Sequence, residues 1–193
     1  MRLGIIFSET NCKAALLKQG QDQIECLHVI EIEKDQLDES WKKSALLSIK
    51  NTYGQFAQVI LGVENQSVII RELTLDSALT DEQILHYLKT QSQHLFGHPA
   101  SALATDYEIL ETKNETNQLI RVVSAHQSDI EKSQKLFANI GFALDVIDVD
   151  LFALARFSES ESRLINKTNL SDQALREFAI TIGLALWSPT CEH

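Results

Sequence analysis

Several groups of residues have the types and spacings that do chemistry. The opening stretch "MRLGIIFSETNCKAALLKQG" is an apolar run, a polar turn holding Ser8 and Glu9, and a second apolar run entered through Lys13. A strand, a turn and a lysine-bearing strand can hold a phosphate, with turn N–H groups on its oxygens and the ammonium balancing its charge. Asp145, Asp148 and Asp150 form an acidic cluster of the kind that binds metals or moves protons. His86, His94 and His98 lie in or beside one helical stretch, where imidazoles four apart would make a zinc pair. Ser124, His126 and Asp129 are the residue types of a nucleophilic triad.

Spacing weakens most of these. Asp148 and Asp150 alternate onto one face, but a strand end followed by a helix cap accounts for them. Gly97 and Pro99 break the helix at His98, and His86 and His94, eight apart, lie about 80° apart around the helix axis. No strained elbow motif surrounds Ser124, and a triad is defined by spatial geometry, not by closeness in sequence. His28 falls in an alternating strand and reads as a partly buried sheet residue. Cys12, Cys26 and Cys191 are far apart, odd in number and free of any CxxC, which fits a reducing compartment and no metal. The expectation is no catalytic residue, no metal and no cofactor.

Hydrophobic periodicity gives the elements that must position these residues. Strands are predicted at 2–7, 12–18 and 24–32, with a hairpin turn at Gly20. In the third, Ile24, Cys26, His28, Ile30 and Ile32 share one face and Glu25, Glu31 and Glu33 the other. A helix over 39–53 places Trp41, Ala45, Ile49 and Tyr53 on one stripe, and "FAQVILGV" (56–63) is a buried strand. This βββαβ start is common to actin-like and RNase H-like folds. An RNase H-like nuclease needs a carboxylate on its first strand, where this chain has Ile6.

The next segment reads βαββαβ, the order of a ferredoxin-like lobe. It comprises strand 67–75, helix 81–96, strands 104–110 and 118–125 around the polar "ETKNETN", helix 129–140 and strand 142–148. Thr80 with Gln83 forms a capping box, with Leu79 and Ile84 as its hydrophobic staple; Ser128 with Glu131 is a second box, and Gly141 a stop. Residues 66–147 are therefore an expected lobe inserted into a domain made of 1–65 and 148–193. In the tail, Asp150 caps a short helix (151–157), and 158–172 is a polar linker. An amphipathic helix over 173–187 then carries Leu175, Phe178, Ala179, Ile182 and Leu186 on one stripe, with Gly183 placed for close packing against the sheet.

Bulk properties limit the partners. The 193 residues are 44% hydrophobic, enough for a core, and the formal charge is −10 from 27 acidic and 17 basic residues. That balance argues against a general nucleic-acid binder and against direct docking on anionic lipid. No apolar run approaches the length of a membrane span and no signal peptide is visible, so the reading is cytoplasmic.

The chain resembles the PilM proteins of type IV pilus assembly, actin-like relatives of the cell-division protein FtsA. The resemblance runs through "LGIIFSETNCKAALL", "AQVILGVENQSVIIRELTLDSALTDEQILHYLKTQSQHLFG", "RVVSAHQSDIEKSQKLFANIGFALDVIDVDLFALAR" and "REFAITIGLALW". It covers nearly the whole chain and rests on the order of these segments. It implies an actin-type domain 1A with an inserted lobe 1C, and a mixed α/β (α+β) fold class. It also implies a partner: PilM-like proteins hold the N-terminal cytoplasmic tail of PilN, a single-span inner-membrane protein, in a groove between 1A and 1C, alongside other pilus platform proteins.

The family's phosphate loop has the form "IDIGSSSVK". Against it, Ile6 replaces the aspartate that organises Mg²⁺, Ser8 replaces a glycine, Glu9 replaces a small residue, and Lys13 alone survives. The seven glycines are spread so that no two lie within seven residues of each other, which leaves no nest for phosphate. The stretch 158–172 stands where the family has its second actin-like domain. The reading is a non-catalytic, ATP-independent adaptor of a type IV pilus or competence pilus machine, peripheral to the inner membrane through its partner. The alternatives are an actin-like component of a type II secretion system, which would normally continue into a membrane span where this chain ends at "WSPTCEH", and a TsaB-like RNA-modification scaffold, whose match fails beyond the first hairpin.

Overall fold

A computed structural model describes residues 1–19, 24–34, 40–114, 116–165 and 170–188. The expected turn at Gly20 and the thiol of Cys191 lie outside them, as does the side chain of Cys26. The chain forms two compact units, one of Met1–Glu64 with Gln134–His193 and one of Asn65–Ser133.

The first unit is built on β1 (Arg2–Phe7), β2 (Asn11–Gln19), β3 (Ile24–Glu33), β4 (Gln58–Val63) and β8 (Val146–Val149), joined in the order β3-β2-β1-β4-β8. β2 runs antiparallel to β1 and β3, while β1, β4 and β8 are parallel. Alternation sorts the side chains onto two faces. Leu3, Ile5, Cys12, Ala14, Leu16, Val59 and Leu61 meet Trp41, Ala45, Leu46 and Ile49 of α1 (Ser40–Tyr53), together with Phe137, Ile140 and Phe142. On the other face Ala15 and Leu17 pack with Phe157, Leu164, Leu175, Phe178 and Ile182, and Ile60 packs with Ala153 and Leu184. Each fully buried Leu, Ile or Phe contributes about 1.5–3 kcal/mol, so both layers are needed for a stable sheet.

The second face is closed by α5 (Asp150–Ile165), α6 (Asp172–Glu177) and α7 (Ala179–Ala185). α7 lies against β1, β2, β4 and α5. Its approach is set by two glycines. A Cβ on Gly4 would run into the Thr181 carbonyl oxygen, and one on Gly183 into the Ala153 carbonyl.

The tail differs from its sequence reading in two places. The stretch 158–172 is not a linker throughout, because α5 continues to Ile165. Ala153, Phe157 and Leu164 keep a buried helical stripe beneath the polar Ser and Glu residues. The expected helix 173–187 is two helices broken at Phe178 (φ −105°, ψ 16°).

The second unit carries β5 (Val68–Asp76), β6 (Leu103–Asn114) and β7 (Asn117–His126) as an antiparallel sheet in the order β5-β7-β6. α2 (Asp81–Thr90) and α3 (Ser92–Phe96) place Ile84, Leu88 and Phe96 on Leu103, Ile120 and Val122. The Thr80–Gln83 capping box forms: the Gln83 N–H donates to Thr80 Oγ1 at 3.4 Å and the Thr80 N–H to Gln83 Oε1 at 2.9 Å. The Ser128–Glu131 box does not. α4 (Gln127–Ala138) starts directly from the end of β7, leaving Ser128 inside its first turn.

The final strand of the expected βαββαβ series also goes elsewhere. β8 pairs with β4, Ile60 against Val146 and Val63 against Val149, so the inserted sheet has three strands. Phe142, read as strand, instead follows a helix stop at Gly141 (φ 70°). There the Gly141 N–H donates to the Ala138 carbonyl at 2.9 Å and the Phe142 N–H to the Phe137 carbonyl at 3.0 Å, a Schellman ending. Because Phe137, Ile140 and Phe142 belong to the first core, the inserted unit ends at Ser133, short of the expected 147.

Candidate functional site

The β1–β2 turn is where a phosphate would sit, and its polar groups are already committed. Ile6 lies between Lys13 of β2 and Gly62 of β4, its side chain packed in the apolar cluster of Ile60, Ala153 and Leu184. The Ser8 hydroxyl oxygen accepts the N–H groups of Thr10 at 3.2 Å and Asn11 at 3.0 Å. Its proton goes to Asn11 Oδ1 at 2.7 Å, and the Ser8 N–H reaches the Asn11 carbonyl at 2.9 Å. These are the amides that a nest would aim at an anion, and here they close the turn on itself. Glu9 is exposed at its tip.

Lys13 is held inside the protein's own network. Its ammonium lies 3.3 Å from Glu177 Oε1 at the end of α6, 3.6 Å from Glu31 Oε1 on β3, and 5.2 Å from the centre of the Phe178 ring. Asn11 Nδ2 donates to the same Glu31 oxygen at 2.6 Å. Surface pairs of this kind add only about 0–1 kcal/mol each to stability, so their importance here is occupancy. An incoming anion would have to displace one carboxylate and stand beside another. Asn11, Glu31 and Glu177 were not singled out from sequence. Glu31 was findable, since it is the direct cross-strand partner of Lys13; Glu177, 164 positions away, left no local signal.

The other candidates are dispersed into structural work. Asp145 Oδ2 accepts the Val59 N–H at 2.7 Å, tying the approach of β8 to β4. Asp148 pairs with Arg156, whose Nε also donates to the Gly183 carbonyl at 3.2 Å; Asp150 begins α5. His28 is exposed and its ring lies tilted against Tyr53, ring centres 5.3 Å apart. Gly97, in the left-handed region at φ 76°, ends α3 before His98, which meets His126, ring centres 4.9 Å apart. Ser124 is buried with its hydroxyl 2.8 Å from Thr105 Oγ1. Asp129 is exposed, and the hydrogen bond from Lys132 holds its carboxyl below the usual range. Burial pushes the Cys12 thiol up to about 12, which keeps it protonated and unreactive. Among the described residues no group of three or more His, Cys, Asp or Glu could hold a metal ion, and no helix is long and apolar enough to cross a membrane.

A mixed sheet ordered β3-β2-β1-β4-β8, with an insertion after β4 and a self-closed first turn, defines the class: an actin-like α/β domain carrying a subdomain. The profile of the family described as "Type IV pilus assembly protein PilM" matches residues 4–187. The chain belongs to the PilM family of type IV pilus assembly proteins. Among solved structures it is similar to one titled "PilM-PilN type IV pilus biogenesis complex", with a TM-score of 0.70 and 14% identity, over 83% of this chain and 50% of that one. It is also similar to the cytoplasmic domain of EpsL, an inner membrane component of the type II secretion system of Vibrio cholerae. There the TM-score is 0.53 at 13% identity, over 79% of this chain and 58% of that one. The chain thus corresponds to about half the length of the relative in the pilus complex. At such identities the likeness is one of fold.

Proposed function

We propose that this chain is a non-catalytic adaptor of the inner-membrane platform of a type IV pilus or competence pilus machine. It holds the N-terminal cytoplasmic peptide of a PilN-like partner and uses no ATP. The family match over residues 4–187 carries the reading, and the likeness to a PilM–PilN complex supports the choice of partner. Independence from ATP is supported by the hairpin: Ile6 where a metal-organising carboxylate is needed, turn amides consumed by Ser8, and Lys13 engaged by Glu31 and Glu177. The protein is cytoplasmic and reaches the inner membrane through its partner.

Docking a disordered tail costs ordering entropy, so a dissociation constant near micromolar, about −8 kcal/mol, is expected. Fluorescence titration with the partner's first residues tests binding, and fractionation of cells with and without the partner gene tests recruitment. Membrane association that persists without the partner, together with indifference to the peptide at about 100 μM, would rule the adaptor out. The likeness to EpsL favours a second reading, a component of a type II secretion platform, which the same fractionation separates by the partner gene on which it depends.

A further inference from the structure

His98 and His126 are distant in sequence, and the inserted unit fixes both at one end of its sheet. His126 is the last residue of β7 and stands opposite Leu103, the first residue of β6, whose side chain is buried in the core. His98 precedes that strand by one short turn, in which the Ala102 N–H donates to the Pro99 carbonyl at 2.9 Å. The His98 carbonyl accepts the hydroxyl of Ser92, a buried side chain, at 2.9 Å. Both backbones are therefore held by the core, which positions the rings before any ligand arrives.

The rings cross at 75° rather than stacking face to face, with centres 4.9 Å apart. That separation is the one a shared metal ion requires. With metal–nitrogen distances of about 2.0–2.1 Å, two imidazoles on one ion have centres about 4.5 Å apart at a right angle and about 5.2 Å apart at the tetrahedral angle. Rotation about χ2, a soft torsion in histidine, turns a nitrogen of each ring toward that point and leaves the ring centres nearly in place. Imidazole suits zinc, copper and nickel, whereas magnesium and calcium prefer oxygen ligands. Asp129 supplies negative charge nearby: its carboxyl is held below the usual range by the hydrogen bond from Lys132 and, in smaller part, by the charge of His126. Among the described residues no third ligand completes a closed site, so water fills the remaining positions and binding is weaker than at a structural zinc centre.

We propose that His98 and His126 form a two-imidazole site for a divalent late transition-metal ion, which ties the turn after α3 to the end of β7. The site is independent of the adaptor reading and stands or falls without it. Titration calorimetry with Zn²⁺ should give one saturable site with a dissociation constant of about 10–100 μM, unaffected by millimolar Mg²⁺. Cu²⁺ should bind more tightly than Zn²⁺, following the general order of affinities. In the unaltered protein, substoichiometric Cu²⁺ should broaden the ring signals of His98 and His126 in NMR spectra before those of His28, His86 and His94. Either His98→Ala or His126→Ala should weaken Zn²⁺ binding about tenfold or more, and the double variant should fall short of the product of the two losses, because a shared ion loses its chelate with the first ring. His94→Ala should bind as the unaltered protein does. Losses that multiply in the double variant, or broadening that begins at another histidine, overturn the site. So does the absence of saturable Zn²⁺ binding at about 1 mM. Should a variant fail to fold, the broadening pattern of the unaltered protein decides.

Discussion

At Gly183 two opposing effects can be weighed. Alanine is the better helix former by about 1 kcal/mol, so an exposed helical glycine would gain from the change. Here the added methyl meets the Ala153 carbonyl, a backbone group of α5 that cannot rotate away. Overpacking of that kind costs about 1–3 kcal/mol or more and should win; urea denaturation of Gly183→Ala should show a lowered midpoint, and an unchanged or raised one would mean the two helices are farther apart. Cys12 makes a second case. Its thiol should resist alkylation in the native protein and react on unfolding. Burial raises its pKa to about 12, so the stability this represents is whole below the ordinary thiol range and is lost as pH rises beyond it. Some of this was legible in the sequence: Gly183 was marked for close packing, although against the sheet, where the structure sets it against Ala153 of α5, and the absence of a carboxylate at Ile6 needs no coordinates. The partners of Lys13 were not legible, because Glu177 joins it only once α6 is folded back on the sheet.

Among the elements, local chemistry was legible and long-range pairing was not. The Thr80–Gln83 box and the Gly141 stop follow from residues within one turn of each other, and both form. The length of α5 was misread because "SESES" is polar by composition, yet the stripe Ala153, Phe157, Leu164 keeps helical phase beneath it. Truncation at its far end tests this: Leu164, fully buried, should cost about 2–5 kcal/mol as Leu164→Ala, whereas a linker residue would cost almost nothing. β8 was assigned to the inserted series by its position in the chain. The parallel partner that claims it, β4, lies some eighty residues back (Ile60 with Val146), and no short-range pattern announces such a pairing.

For the molecule as a whole, the prediction is silence toward nucleotide. Calorimetry with Mg·ATP at about millimolar concentration should give no saturable heat. A micromolar dissociation constant that disappears in Lys13→Ala would show that Glu31 and Glu177 yield the ammonium to phosphate. The charge balance agrees with this: a chain of formal charge −10 has no general attraction for polyanions, and its one lysine at the relevant turn is engaged.

The two units also run on different clocks. Asn65–Ser133 is continuous in the chain, so its three strands and their covering helices exist together as soon as Ser133 has left the ribosome. The five-stranded sheet must wait. Its central strand β1 is made first, but the helix that covers β1 is α7, ending at Ala185, and Arg2 makes its hydrogen bond to the Trp187 carbonyl only after that. At roughly 5–20 residues per second the interval is about ten to thirty-five seconds, during which Ala15, Leu17 and Ile60 face water with nothing to shield them. The vulnerable moment for aggregation is therefore late in synthesis, and it belongs to strands translated well before the helix that covers them.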